Sequence, residues 1–405
     1  MSPVKRNTHT SSIRQSTDKE EIETAMSQDG SPRIFIQFAG QGMKYMDELR
    51  RLYRMNPDIQ PFIHDAAAVI QRELALYDDA ETGFFSQGID VIRWIESPEQ
   101  TPDAAYLLSS PLSHPLIYLC QIATYISVIQ EGLDPKWLMA HTHSATGFST
   151  GILAAVLAGM GLPLPALKEM ALKVQAMFFW QGVRCQQSMA RFGIRLDLDP
   201  ARLDIGDGSP GCMASINNIN RQQLDEFNRD FADYGIVHPA YELLPDRWIV
   251  AGLPENLIAF SHFIRARDPE IGWKFIPSTI AAHCPFLDYA LETSPIDARR
   301  IGLSLTGSQL KIPVWSNDTG ADLGNSTDIV QDVMQAYFIH PAFWQKQIAP
   351  LTGLNGITHV LDFGPGAGVA SLTESHLTGM QTQVIRCTIP LGRRKLFDEI
   401  LPVLN

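Results

Sequence analysis

Trp137-Leu138-Met139-Ala140-His141-Thr142 runs into Gly147-Phe148-Ser149-Thr150-Gly151, and Ile152 to Ala158 follows as an unbroken apolar segment. The first stretch reads as a buried strand, the glycines as a tight turn, and the last stretch as a buried helix. Gly147-Phe148-Ser149-Thr150-Gly151 also fits G-x-S-x-G, a pattern that sets a serine on a sharp strand-to-helix turn. Glycines are required there because the strained turn leaves no room for side chains beside the serine. The following helix points its first N–H groups at that serine, where they can hold a developing oxyanion. Ser149 is therefore the candidate nucleophile. Ser144 is a rival in His143-Ser144-Ala145-Thr146-Gly147, but its glycine stands one residue too far along.

Working outward, Ile34-Phe35-Ile36-Gln37-Phe38 reads as a second buried strand, closed by the turn Ala39-Gly40-Gln41-Gly42. Residues 1–31 are polar and charged and bury too little apolar surface to offset ordering entropy, which predicts a disordered tail. Helices are expected over 47–53, 59–76, 110–131 and 165–188, and strands over 311–316 and 359–363. Between about 207 and 277 the period shortens. Strands at 212–216, 236–243, 248–251 and 273–276 alternate with helices at 221–234 and 254–267 in the order β-α-β-β-α-β, which is the ferredoxin-like order.

Composition narrows the class. The 405 residues are 45% apolar and 19% charged, enough for a sizeable core in two or three domains, or in one large fold with an insertion. Acids outnumber Lys and Arg by 44 to 32, a net charge of -12, which argues against nucleic-acid or anionic-membrane partners. The five cysteines are scattered with no CxxC pair, so neither a disulfide framework nor a structural zinc is expected. No run of about 18 uncharged apolar residues and no signal-peptide core occurs, and a soluble cytoplasmic protein is expected. His141 and His143 share a face of the expected strand, but no third ligand stands near, and no metal is expected.

Phe38-Ala39-Gly40-Gln41-Gly42 resembles the F-x-G-Q-G signature of acyl-CoA:acyl-carrier-protein acyltransferases, and Ser149 stands where that family keeps its nucleophile. Ser86-Gln87-Gly88-Ile89-Asp90, Trp94-Ile95-Glu96, Thr101-Pro102-Asp103 and Tyr106-Leu107-Leu108-Ser109 resemble the acetyltransferase domain of the fungal fatty acid synthase β subunit. So do Gly182-Val183-Arg184-Cys185, His340-Pro341 and Leu361-Asp362-Phe363-Gly364-Pro365-Gly366. The resemblance covers about residues 33–390. It extends to starter-unit acyltransferase domains of fungal polyketide synthases, which often carry cysteine where this chain has Ser149.

The resemblance implies an α/β-hydrolase-like core, residues 32–206 and 278–405, carrying the ferredoxin-like subdomain 207–277. It implies that Ser149 forms an acyl-enzyme and that His283, in Ala282-His283-Cys284-Pro285, is the general base. Gln41 and the Thr150 N–H would form the oxyanion hole. A backbone carbonyl at Asn317 would orient the histidine, and Asp362 would serve a structural turn. Gln181 falls where malonyl transferases keep an arginine for the malonyl carboxylate, which points to a neutral acyl group, with Arg184 as the rival carboxylate partner. Phe148 replaces a histidine of the synthase domains, Leu243-Leu244 replace an Asn-Gly pair, and Trp180 with Gln181 is expected in the acyl pocket.

The function so implied is a stand-alone acyltransferase in polyketide or fatty-acyl biosynthesis. It would act in trans, moving acetyl or a longer starter from coenzyme A to a carrier-protein phosphopantetheine. Acyl-CoA is its substrate, and no cofactor is implied. An editing thioesterase would use the same Ser149 and His283, and a non-catalytic carrier-docking subunit would need neither.

Overall fold

The computed structural model of the chain describes residues 31–41, 44–78, 83–194, 207–353 and 356–401. The tail expected over 1–31 lies outside them except for Ser31. The described strands, in chain order, are β1 (Ile34–Phe38), β2 (Thr142–Gly147), β3 (Met213–Asn217), β4 (Val237–Leu244), β5 (Arg247–Gly252), β6 (Gly272–Ile276), β7 (Ala342–Phe343), β8 (His359–Asp362) and β9 (Gln383–Arg386).

One sheet has the order β2-β1-β8-β9 and is parallel throughout. All five residues of β1 are buried, as expected of a strand covered on both faces. The segment expected as a strand over 311–316 contributes only isolated bridges, Val314 to Ala145 and Trp315 to Asp322, with Ala145 N–H donating to Pro313 O (2.9 Å). The Val314 N–H turns instead to the Asp322 carboxylate, and Pro313 has no N–H to offer.

Residues 137–142 correct the sequence reading. Asp134 caps a helix by accepting from the Lys136 N–H, Pro135 occupies its first turn, and Pro135–His141 is helical. An Asp-Pro pair is a helix start, and it displaces β2 to Thr142–Gly147. His141 therefore ends a helix while His143 lies on a strand, so the two do not share a strand face. The His141 ring stacks on Trp137, and His143 Nδ1 lies 2.8 Å from Ser144 Oγ.

The second sheet has the order β6-β3-β5-β4-β7. Its first four strands pair antiparallel and come from residues 213–276, with helices Arg221–Phe231 and Pro254–Arg265 between them. Asn220 and Gln223 form a reciprocal capping box at the first of these helices. Ile216, Trp248, Val250, Phe231 and Phe260 fill a small core of their own. β7 comes from far along the chain and pairs parallel with β4, through Tyr241–Ala342 and Glu242–Phe343.

Helix Ser110–Gln130 is long and apolar enough to cross a membrane by length and composition, yet nearly every residue of it is buried in the fold. Helix Leu164–Ala190 lies along it. Gly182 abuts the Ser110 carbonyl with no space for a Cβ, and the Tyr118 and Phe178 rings stack at 4.5 Å.

Candidate active site

β2 ends at Gly147, and a single turn, Ser149–Gly151, leads into helix Ile152–Gly159. Ser149 is left-handed, with φ of 53°. For a non-glycine residue that conformation costs about 1–2 kcal/mol. A Cβ on Gly147 would overlap the Gly151 backbone, and one on Gly151 would overlap the carbonyls of Ala39 and Phe38. One on Gly40 would strike the Phe148 carbonyl. The elbow and the turn after β1 thus interlock backbone to backbone, and Phe148 N–H donates to Phe38 O at 2.8 Å.

His283 meets Ser149 across the chain, its Nε2 standing 2.8 Å from Ser149 Oγ. His283 Nδ1 faces two carbonyls, Ala336 O and His340 O, each at 3.1 Å. Two acceptors at Nδ1 place the proton there, which leaves the Nε2 lone pair to accept from the serine hydroxyl. Ala336 lies in the last turn of helix Ile329–Phe338, where carbonyls lack intrahelical partners. Tyr337 O and Phe338 O of the same turn accept from the backbone N–H groups of His283 and Cys284. The negative end of that helix occupies the position a third carboxylate would take. Burial pushes the His283 imidazole down to about 4, while the two carbonyls and the Asp318 charge pull it back up. His340 itself is held by Asp318, Nδ1 to Oδ2 at 2.8 Å.

This corrects the expected role of Asn317. Its carbonyl is occupied by Phe343 N–H (2.9 Å) and Gln347 Nε2 (3.2 Å), and it does not orient the histidine. Asn317 instead uses its side chain, donating from Nδ2 to the Ser149 carbonyl at 3.0 Å. Asp362 is remote from the pair. It accepts from Gln37 Nε2 (2.8 Å) and Gly364 N–H (2.7 Å) at the turn after β8, and burial raises it to about 6.

A cavity of about 60 Å³ opens on Ser149 and His283. Gln41 and Phe148 line it as expected, and Gln41 Nε2 is tied to Ser113 Oγ at 3.0 Å. Thr150 directly follows the serine in the first turn, where leading N–H groups have no intrahelical acceptor. The second sheet adds Met213, Tyr241, Ile249 and Ile276, and Leu108 and the segment Pro277-Ser278 complete much of the rest. Neither Gln181 nor Trp180 is part of that wall. Gln181 is buried within its helix, and Trp180 turns away to donate from Nε1 to Glu73 at 2.8 Å. Long apolar helices bury residues all round, and Met177-Phe178-Phe179-Trp180 carries no sign of which face meets the cavity. Arg184 is fully committed: its Nε and Nη2 bind both Asp297 oxygens (2.8 and 3.1 Å) and its guanidinium lies over the Trp180 ring.

Two contributors were invisible in the sequence. The Tyr241 ring stacks on Phe148 at 4.2 Å and meets His283 edge-on at 5.3 Å. Its hydroxyl accepts from Gln347 Nε2 at 2.6 Å and bonds the Ser149 backbone, while burial raises its phenol well above the ordinary range. Gln347 also reaches Asn317 O, so one buried amide braces both supports of the elbow. No local motif marks either residue, since their roles come from the β4–β7 pairing that joins distant segments.

A serine on a strand-to-helix elbow of a parallel sheet, 2.8 Å from a histidine held by the carbonyls of Ala336 and His340, gives a mixed α/β fold with a candidate Ser–His pair, and its match to known proteins makes it an acyltransferase. The starter unit:ACP transacylase family, as described for aflatoxin biosynthesis, matches residues 36–243, and the chain belongs to that family. It is similar to the fatty acid synthase beta subunit TOXC of Cochliobolus carbonum, 27% identical over 91% of this chain and 19% of that protein. It is also similar to the fatty acid synthase subunit beta of Saccharomyces cerevisiae, 26% identical over 88% of this chain and 18% of that protein. The chain thus spans about a fifth of the length of the curated relatives it matches. Its fold is that of MCAT from Streptococcus pneumoniae, with TM-score 0.63, 17% identity, and coverage of 90% of this chain and 100% of that one. The fold also matches a malonyl-transacylase, PlMCAT, solved with the type II PKS acyl-carrier protein AntF (TM-score 0.62, 14% identity, 90% and 99% covered).

Proposed function

We propose that this protein moves a small neutral acyl group from coenzyme A to the phosphopantetheine thiol of a carrier protein, through an ester on Ser149. The Ser149–His283 contact of 2.8 Å, in a cavity with no lysine or arginine among its described lining residues, carries the reading. Ser149 Oγ attacks the thioester carbonyl carbon while its proton passes to His283 Nε2. The oxyanion is held by the Thr150 N–H and the backbone at Gln41. The C–S bond then breaks, and His283 returns the proton to the departing coenzyme A sulfur. In the second half the carrier thiol gives its proton to His283 and attacks the Ser149 ester carbonyl; the C–O bond to Ser149 then breaks, and His283 returns the proton to Ser149 Oγ. The growing positive charge on His283 is met by the carbonyls of Ala336 and His340, and this supports a dyad without a carboxylate.

Two features favour a neutral acyl group. Among its described residues the cavity wall is apolar apart from Gln41, Ser278, the Tyr241 hydroxyl and the dyad itself, and the family-suggested cation, Arg184, is bound by Asp297. A malonyl carboxylate entering that cavity would be desolvated without a partner. A carrier protein as acceptor fits the family and the carrier complex of the PlMCAT neighbour. We further read residues 207–277 as a ferredoxin-like insertion in an α/β-hydrolase-like core, which the strand order β6-β3-β5-β4 supports.

The test is the intact mass of the protein after incubation with acetyl-, hexanoyl- and malonyl-coenzyme A, beside Ser149→Ala. A Ser149-dependent adduct from a neutral donor, and none from malonyl, is expected. A malonyl adduct overturns the neutral-acyl reading, and free coenzyme A without any adduct indicates a hydrolase.

A further inference from the structure

Leu108 is the last residue of the short helix Ala104–Leu108 and is half-buried. Its side chain lines two cavities at once. One is the 60 Å³ chamber that holds Ser149 and His283. The other, of about 260 Å³, is walled by Tyr45, Met46, Pro102, Ala104 and Leu107. Leu108 has little freedom to move. The Leu107 carbonyl on one side accepts from the Tyr45 hydroxyl at 2.6 Å, and Ser109 on the other is pinned to Tyr106 O through both its N–H (3.1 Å) and its Oγ (2.6 Å). Asp103 caps the start of the helix by accepting from Tyr106 N–H at 2.9 Å.

At roughly 10–15 Å³ for each water-sized group, a 60 Å³ chamber takes about four to six. An acetyl group has three non-hydrogen atoms and fits beside the thioester sulfur. A hexanoyl group has seven, more than that space seats without extending past its wall or its open mouth. The stacked rings of Phe148 and Tyr241 form one part of the chamber wall, whereas Leu108 also borders the second, mostly apolar cavity.

We propose that Leu108 is a specificity-determining residue that limits the acyl chain to a few carbons by separating the catalytic chamber from this second cavity. The inference rests on the transfer reading above. Removing the Leu108 side chain joins the two spaces and gives the distal methylenes of a longer acyl group an apolar bed. Lys44, Asp47, Arg50 and Thr101 also border the second cavity, and Arg50 is tied to Asp47 and to Trp94 O.

The experiment measures Ser149 acylation rates with acetyl- and hexanoyl-coenzyme A for the unaltered protein, Leu108→Ala and the milder Leu108→Val. The unaltered protein is expected to favour acetyl. The hexanoyl-to-acetyl ratio of kcat/KM is expected to rise at least tenfold in Leu108→Ala and by less in Leu108→Val. An unchanged ratio in a folded variant, or an equal loss with both donors, overturns the role of Leu108 and leaves the transfer reading standing. Hexanoyl preferred by the unaltered protein also overturns it. Absence of any Ser149 adduct from either donor in the unaltered protein overturns the transfer reading and this inference with it.

Discussion

Acidification tests the geometry around His283 most directly. An ordinary histidine, with a pKa of about 6.5, is only roughly 3% neutral at about pH 5. Burial holds His283 down to about 4, so at the same pH it is roughly 90% in the neutral, base-competent form. The two cases differ by about 30-fold in the rate of Ser149 acylation at that pH. The assay is single-turnover acylation from acetyl-coenzyme A, quenched and read by intact mass, with circular dichroism to verify the fold at each pH. The rate is expected to stay level from about pH 8 to pH 5 and to fall with a midpoint near 4. Asp318→Asn removes a charge that raises His283, and so moves the midpoint lower still. A midpoint between about pH 6 and 7 would show an exposed, ordinary imidazole and would refute the buried-dyad argument.

Stability should also depend on pH through His283 and His114, both buried and both lowered to about 4. Above about pH 6.5 both are neutral in either state; below it the unfolded chain gains protons that the folded chain refuses, so stability falls by up to about 3 kcal/mol per histidine on the way to pH 4. Thermal unfolding at about pH 7 and pH 4.5 reads this. Asp297→Ala leaves the Arg184 guanidinium without its partner and is expected to cost about 3–5 kcal/mol in denaturant titration. Gly151→Ala drives a methyl into the carbonyls of Ala39 and Phe38, neither of which can move without disturbing β1; lost activity together with a lowered unfolding midpoint is expected. Asn317→Ala frees the Ser149 carbonyl and should lower kcat about tenfold, equivalent to about 1.4 kcal/mol, with KM little changed.

Much of this site could be read from local patterns. Gly147, Ser149 and Gly151 announce the elbow because the turn excludes every Cβ beside it, a constraint the chain can meet only with glycine. The order of elements over 207–277 was equally legible, since short half-buried strands and amphipathic helices write their periods into the sequence. Residues 137–142 misled because a short run opening with four apolar residues suits a strand or a buried helix, and the decisive Asp134-Pro135 signal lies just before it. The error at Asn317 was of another kind. Its position beside the dyad was right, but which of its atoms faces Ser149 depends on β7, on Gln347 and on the end of helix Ile329–Phe338.

The sequence by itself therefore marked the glycine-flanked elbow at Ser149, because that rests on steric rules acting within a few residues, and it marked His283 only through its family resemblance. Only the tertiary structure decided what orients His283, that Arg184 is spent on Asp297, and that Tyr241 and Leu108 bound the chamber. Those are pairings between segments tens to hundreds of residues apart. Their partners are selected by packing and by the need to satisfy every buried polar group, and no local pattern records that selection.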